Sequence, residues 1–315
     1  NDLKRILAYS TLSQLGYMVM AVGLGGRAEG MYHLGTHAFF KALLFLSAGS
    51  VMHATHELNI WKLGGLARSM RWTSLCFLVG ALALAGCPGL SGFFSKDEIL
   101  VLAREHHLGM YVLATITAGL TALYTARVWF VAFTGSSRLS ARHGAGGGHH
   151  GVHESPPIML VPLFVLAALS IAGGYLGIPR FLGASHTEFH WDVAATSIAA
   201  ALTGLTLAWL IYKRQAVSAQ QVVQALALPS SFFQRRYWID EIYSWYVATV
   251  QQKLIAGLCA WVERVVIIGA AVNGTAWLTR GAGLLLRRCQ TGRVQTYVFV
   301  FLIGGAGLLT IVLIR

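Results

Sequence analysis

Long apolar runs separated by short polar connections dominate the chain. A membrane-crossing helix needs about 20 mainly apolar residues. Seven stretches satisfy this: roughly 6–24, 30–54, 73–103, 109–133, 158–178, 193–212 and 294–314. The third is interrupted by Gly86, Pro88, Gly89 and Gly92, so it reads as a discontinuous helix. The stretch from Arg235 to Gly292 follows a different pattern. It holds no proline, and charges recur at Arg236, Asp240, Glu241, Lys253, Glu263, Arg264, Arg280, Arg287 and Arg288. A continuous helix here would be roughly 80 Å long at about 1.5 Å per residue, against a hydrocarbon core of about 30 Å. A helix lying along the membrane surface fits that length and those charges. The alternative makes residues 254–279 an eighth span, but parity would then place Arg287, Arg288 and Arg293 on the outer face. The pattern predicts an all-α polytopic membrane protein, with about seven transmembrane helices and a long amphipathic lateral helix.

Composition strengthens this reading. Of the 315 residues, 56% are hydrophobic and 11% charged, where an ordinary soluble domain carries about 25% charged residues. The net charge of +12 does not imply nucleic acid, because the basic residues are scattered between apolar runs rather than gathered in one stripe. Alternate connections collect Lys4 and Arg5; Lys62, Arg68 and Arg71; Arg138 and Arg142; then Lys213 onward. The opposite ones hold only Arg27, Arg104 and Arg180, with Arg315 at the terminus, so the first set is expected to face the cytoplasm or its equivalent. Arg127 is placed to snorkel to that face. The four cysteines, Cys76, Cys87, Cys259 and Cys289, form no Cys-x-x-Cys pair and read as packing residues. The opening "NDLKRILAYS" lacks an initiator methionine and a signal-peptide pattern, as expected of a piece beginning partway through a longer polypeptide.

Within the second span, "HLGTHAFFKALLFL" carries three ionisable groups. His33, His37 and Lys41 are four residues apart, so they share one helix face and rise about 6 Å from one to the next. A neutral imidazole accepts a proton on one nitrogen and donates from the other. A lysine near mid-span costs several kcal/mol as a charge, and a nearby carboxylate offsets that cost. Three such groups on one lipid-embedded face point to a proton or ion path rather than to packing. The third span adds a second signal: Lys96, Asp97 and Glu98 follow directly on the helix break, and broken helices mark ion pathways in transporters. Ser10, Thr11, Ser13 and Gln14 in the first span suit interhelical hydrogen bonds. His53 and His56 read as solvated. In the Gly- and His-rich loop 136–157, metal binding by His143, His149, His150 and His153 competes with a flexible solvated loop. The loop is favoured, since glycine provides no fixed ligand geometry.

These motifs resemble the antiporter-like subunits of respiratory complex I. "DLKRILAYSTLSQLGYM", "HLGTHAFFKALLFLSAGSV", "GGLARSM" and "LALAGCPGLSGFFSKDEIL" are similar to that family's consecutive motifs. "HESPPIMLVPLFVLAALSIAGGYLG" and "YWIDEIY" favour its distal member, subunit L of bacterial NADH:quinone oxidoreductase and the equivalent of mitochondrial subunit 5. The resemblance implies a half-channel in which Lys41 is the central lysine and His33 and His37 line the hydrated route to it. Lys96 and Asp97 would be the charged pair of the discontinuous helix, at the outward-leading end. The family's preceding repeat, with its own broken helix, lysine and glutamate, has no counterpart in these residues, so proton movement by this chain alone is not expected. The implied partners are other membrane-arm subunits of complex I, especially the antiporter-like neighbours along the lateral helix, and the lipid bilayer. No cofactor or metal is expected in this chain.

The domain organisation expected is a channel part over 1–133, the inner loop 134–157, additional transmembrane helices over 158–234, the lateral helix 235–292 and an anchoring helix 293–315. The expected location is a bacterial cytoplasmic membrane rather than a mitochondrial inner membrane. The competing readings are a subunit of an Mrp-type cation/proton antiporter or of a membrane-bound hydrogenase, and a purely structural strut. A single span after the lateral helix favours complex I over the first of these.

Overall fold

The computed structural model describes residues 1–136, 152–183, 190–216 and 236–314. Among them there is no β-strand, only an isolated bridge between Asp2 and Asn59. The residues fall into two compact units, Asn1–Ala225 and Leu226–Arg315. The first contains α1 (Leu3–Gly23), α2 (Arg27–Thr55), a short α3 (Leu66–Ser69), α4 (Arg71–Ala85), α5 (Ser91–His106), α6 (Leu108–Val128, with a wider turn Trp129–Phe133), α7 (Pro157–Ala172), α8 (Ile178–Phe181) and α9 (Trp191–Ala208, extended by Trp209–Lys213). The second contains a continuous helical run, α10 (Ile239–Cys289), and α11 (Val294–Ile314).

Six of these helices are long and apolar enough to cross a membrane, α10 among them; α4 and α7 are shorter apolar helices. The expected third span is two half-helices, α4 and α5, joined across Gly86–Leu90. The fifth span is α7, of 16 residues, which ends where Gly173 and Gly174 let Phe94 and the Leu169 carbonyl approach too closely for a side chain. α10 is 51 residues long without interruption, on the order of 70 Å. That is more than twice a hydrocarbon core of about 30 Å, and α10 holds a window apolar enough to cross one.

Local signals place the ends. Asp2 caps α1 by accepting from the Arg5 amide at 2.9 Å. α2 carries Glu29 in its first turn, where the helix dipole favours a carboxylate, and closes on His56 in the left-handed region at φ 50°. His107 turns the chain between α5 and α6 and accepts from the Met110 amide. His53 and His56 are exposed, as the sequence suggests. Of the histidines of the Gly-rich loop, His143, His149 and His150 lie outside the described residues; His153 is exposed, with Nδ1 2.9 Å from the Glu154 carbonyl.

α2 is the central helix of the first unit and packs on α1, α4, α5 and α7. Its apolar contribution meets Leu3, Leu7, Phe77, Leu84 and Phe133 around Phe40, Leu44 and Val51. Because α2 is enclosed on so many sides, the polar residues on its buried face are held away from lipid. α6 and α9 pack along much of their lengths. A Cβ on Gly204 would lie 2.2 Å from the Gly119 carbonyl oxygen, so glycine is what allows that backbone approach.

Candidate functional site

The break between α4 and α5 is built around glycine and a helix end. α4 closes in a Schellman motif. Cys87 N–H donates to the Leu82 carbonyl at 3.0 Å and Gly86 N–H to the Ala83 carbonyl at 3.1 Å, with Gly86 at φ 81°. That pattern leaves the Leu84 carbonyl over, and Lys96 Nζ donates to it at 2.9 Å. The negative end of a half-helix thus faces the ammonium, a favourable arrangement for a buried cation. Tyr17 lends its ring face to the same ammonium at 5.7 Å, with its hydroxyl anchored on the Ala114 carbonyl at 2.6 Å. Lys96 is 3% exposed.

From Lys96 a polar line enters α2. Ser95, one residue earlier on α5, lies 2.9 Å from His33 Nδ1 and accepts from Thr36 Oγ1 at 2.7 Å, while its own hydroxyl donates to the Ser91 carbonyl. The other nitrogen of His33, Nε2, is 3.1 Å from Gln14 Oε1 on α1. An amide can present its carbonyl to an imidazolium or turn its NH2 to a neutral ring, so Gln14 suits both protonation states of His33. His37 follows one turn on, its ring centroid 6.1 Å from that of His33, with Phe40 against both. Lys41, 4% exposed, donates to the Leu7 carbonyl of α1 at 3.1 Å. Lys96 is within electrostatic reach of His33, His37 and Lys41. His37 Nε2 and Gln14 Nε2 are buried without a hydrogen-bond partner among the described residues. Polar atoms left over in this way suit a hydrated route.

All five residues singled out from sequence are buried, and His33, His37, Lys41 and Lys96 share one region. Asp97 stands apart. Among the described residues no ion pair joins it to Lys96. Neighbours on a helix point about 100° apart, so Lys96 turns to the end of α4 while Asp97 accepts from Ser197 Oγ on α9 at 2.6 Å. The two charges expected on the discontinuous helix are thus held by different neighbours, Lys96 by α4 and Asp97 by α9. Gln14, Ser95, Thr36, Tyr17 and Ser197 complete the arrangement. Gln14 stands out in sequence as a polar residue in a span; the other four are ordinary helix residues whose roles come from packing. Among the described residues, no group of three or more His, Cys, Asp or Glu side chains is placed to hold a metal.

A family model described as "NADH:quinone oxidoreductase/Mrp antiporter, TM" matches residues 1–121, and the NAD(P)H-quinone oxidoreductase chain 5 of Picosynechococcus sp. is 36% identical over 95% of this chain and 51% of its own length. Residues 1–121 carry the family's pattern, and the similarity to its named members runs over nearly the whole chain. The NADH-quinone oxidoreductase subunit L of Neisseria meningitidis serogroup A is 34% identical over 96% of the chain and 51% of its own length. The chain therefore spans about half the length of the relatives it matches. A solved structure of the Mrp complex from Dietzia sp. DQ12-45-1b overlaps 66% of this chain and 45% of its own, at 22% identity and a TM-score of 0.49. With the matched motifs on α1, α2, α4 and α5, the family match covers the helices that carry the buried lysines and histidines.

Proposed function

We propose that these residues form one proton half-channel of the antiporter-like subunit L of NADH:quinone oxidoreductase, in a bacterial cytoplasmic membrane. Lys41 is the central proton-carrying amine, and His33 and His37 line the route to it. Lys96 is the next station, and Asp97 marks the outward-leading end. Redox chemistry and its cofactors belong to other subunits, and the energy arrives through neighbouring antiporter-like subunits, with α10 lying along them as a tie.

The observation that carries this reading is the buried polar line from Lys96 through Ser95 and His33 to His37 and Lys41, with each ammonium given a single helix carbonyl. A structural core would not hold two lysines in that way, because a buried ion with one hydrogen-bond partner among the described residues is costly. Lys41→Met, which keeps length and apolar volume, tests it in the assembled complex. NADH-driven proton uptake by inverted membrane vesicles is expected to fall by most of its amplitude while the complex still assembles. Full uptake in Lys41→Met would leave the chain as a strut.

A further inference from the structure

Asp97 has one oxygen committed and one free. Oδ1 accepts from Ser197 Oγ at 2.6 Å, whereas Oδ2 is buried with no hydrogen-bond partner among the described residues. Both residues are more than nine-tenths buried. Ser197 lies on α9, beyond the stretch that the family model matches and outside the channel part expected from sequence.

The register of α9 is set by three independent contacts around Ser197. Below it, Gly119 of α6 and Gly204 of α9 bring the two backbones into direct contact. Next to it in sequence, Thr196 Oγ1 meets Tyr111 OH of α6 at 2.5 Å. At the start of α9, Asp192 forms an ion pair with Arg104 of α5. Together these hold Ser197 opposite Asp97, and they tie α9 to the same half-helix that carries Lys96. Ser197 Oγ also has an alternative acceptor, the Ala194 carbonyl at 3.1 Å. The hydroxyl can therefore leave Asp97 for its own helix backbone without becoming unsatisfied.

We propose that Ser197 is a positioning residue for Asp97. Its hydroxyl holds Oδ1 on the α9 side, away from Lys96, and so keeps the lysine and the carboxylate from collapsing into a closed ion pair. Rotation of that hydroxyl onto the Ala194 carbonyl frees Asp97 to turn. α9 is on this account part of the transport machinery rather than a packing helix. The proposal rests on the proposed channel function, and its test separates the two.

The test uses the assembled complex in inverted vesicles, with proton uptake normalised to NADH:quinone reductase activity. It compares Ser197→Ala, Ser197→Thr, Asp97→Asn and the double variant Ser197→Ala/Asp97→Asn. Ser197→Ala is expected to lower normalised uptake by about tenfold or more, the order of a hydrogen bond to a charged group. Ser197→Thr, which keeps the hydroxyl, is expected to retain uptake, and the alanine change is expected to add nothing once Asp97 is Asn. Unchanged uptake in Ser197→Ala, or a loss that persists undiminished in the Asp97→Asn background, overturns the Ser197 role and leaves the channel reading intact. Unchanged uptake in Asp97→Asn overturns the role of both residues. Ser197→Cys, close in volume and a weak donor, stands in should Ser197→Ala not assemble, with a partial loss expected and no loss overturning the proposal.

Discussion

At Gly92 one missing methyl group decides how closely two half-helices approach. A Cβ there would lie 2.0 Å from the Ala83 carbonyl oxygen and 2.8 Å from its carbon, both backbone atoms that cannot swing aside. Gly92→Ala is therefore expected to push the end of α4 away from α5, at a cost of about 1–3 kcal/mol, and to withdraw the Leu84 carbonyl from Lys96. The thermal midpoint of the purified complex checks the stability effect. Gly16→Ala is the control, since a Cβ at that helical position meets nothing within 4 Å and the change should be neutral or mildly stabilising. The glycines were legible in sequence as a break, but their individual duties were not. Gly86 serves a left-handed turn at φ 81°, while Gly92 serves a close approach across space.

At the scale of the element, α4 begins without a cap of its own. Met70 at its N-cap offers no side-chain acceptor. The carboxylate of Glu154 takes that place from 81 residues away, accepting from the Trp72 amide at 2.7 Å and from Thr73 Oγ1 at 2.6 Å. Glu154→Ala is expected to cost about 1–2 kcal/mol and to raise hydrogen exchange at the Trp72 amide selectively. Glu154→Gln, which keeps one carbonyl oxygen, should lose less. In sequence the "HESPP" segment resembles a family motif, and nothing in it points to this contact. A cap supplied from a distant segment leaves no local signature at the helix it caps. The helices themselves were legible, because a run of about 20 apolar residues has few other stable states in lipid.

For the whole molecule, α10 is the element whose length exceeds anything a bilayer crossing requires. Its side chains are exposed almost throughout, so its stability rests on an uninterrupted backbone ladder and on whatever it lies along. Gly257→Pro is expected to break it, since an interior proline removes a hydrogen bond and clashes with the preceding turn at a cost of about 3 kcal/mol. The expected readout is weaker retention of neighbouring subunits on native gels. Gly257→Ala, where a Cβ meets nothing within 4 Å, should leave retention intact.

What the sequence determined by itself was the membrane environment, the broken helix, and the face shared by His33, His37 and Lys41. Hydropathy, glycine and proline placement, and helical period are properties of one segment at a time. What only the tertiary structure decided was which of these groups meet. Lys96 and Asp97 are adjacent in sequence, yet α4 holds one and α9 the other. A helix turns about 100° between consecutive residues, and the helices packed on either side then determine which partner each charge finds.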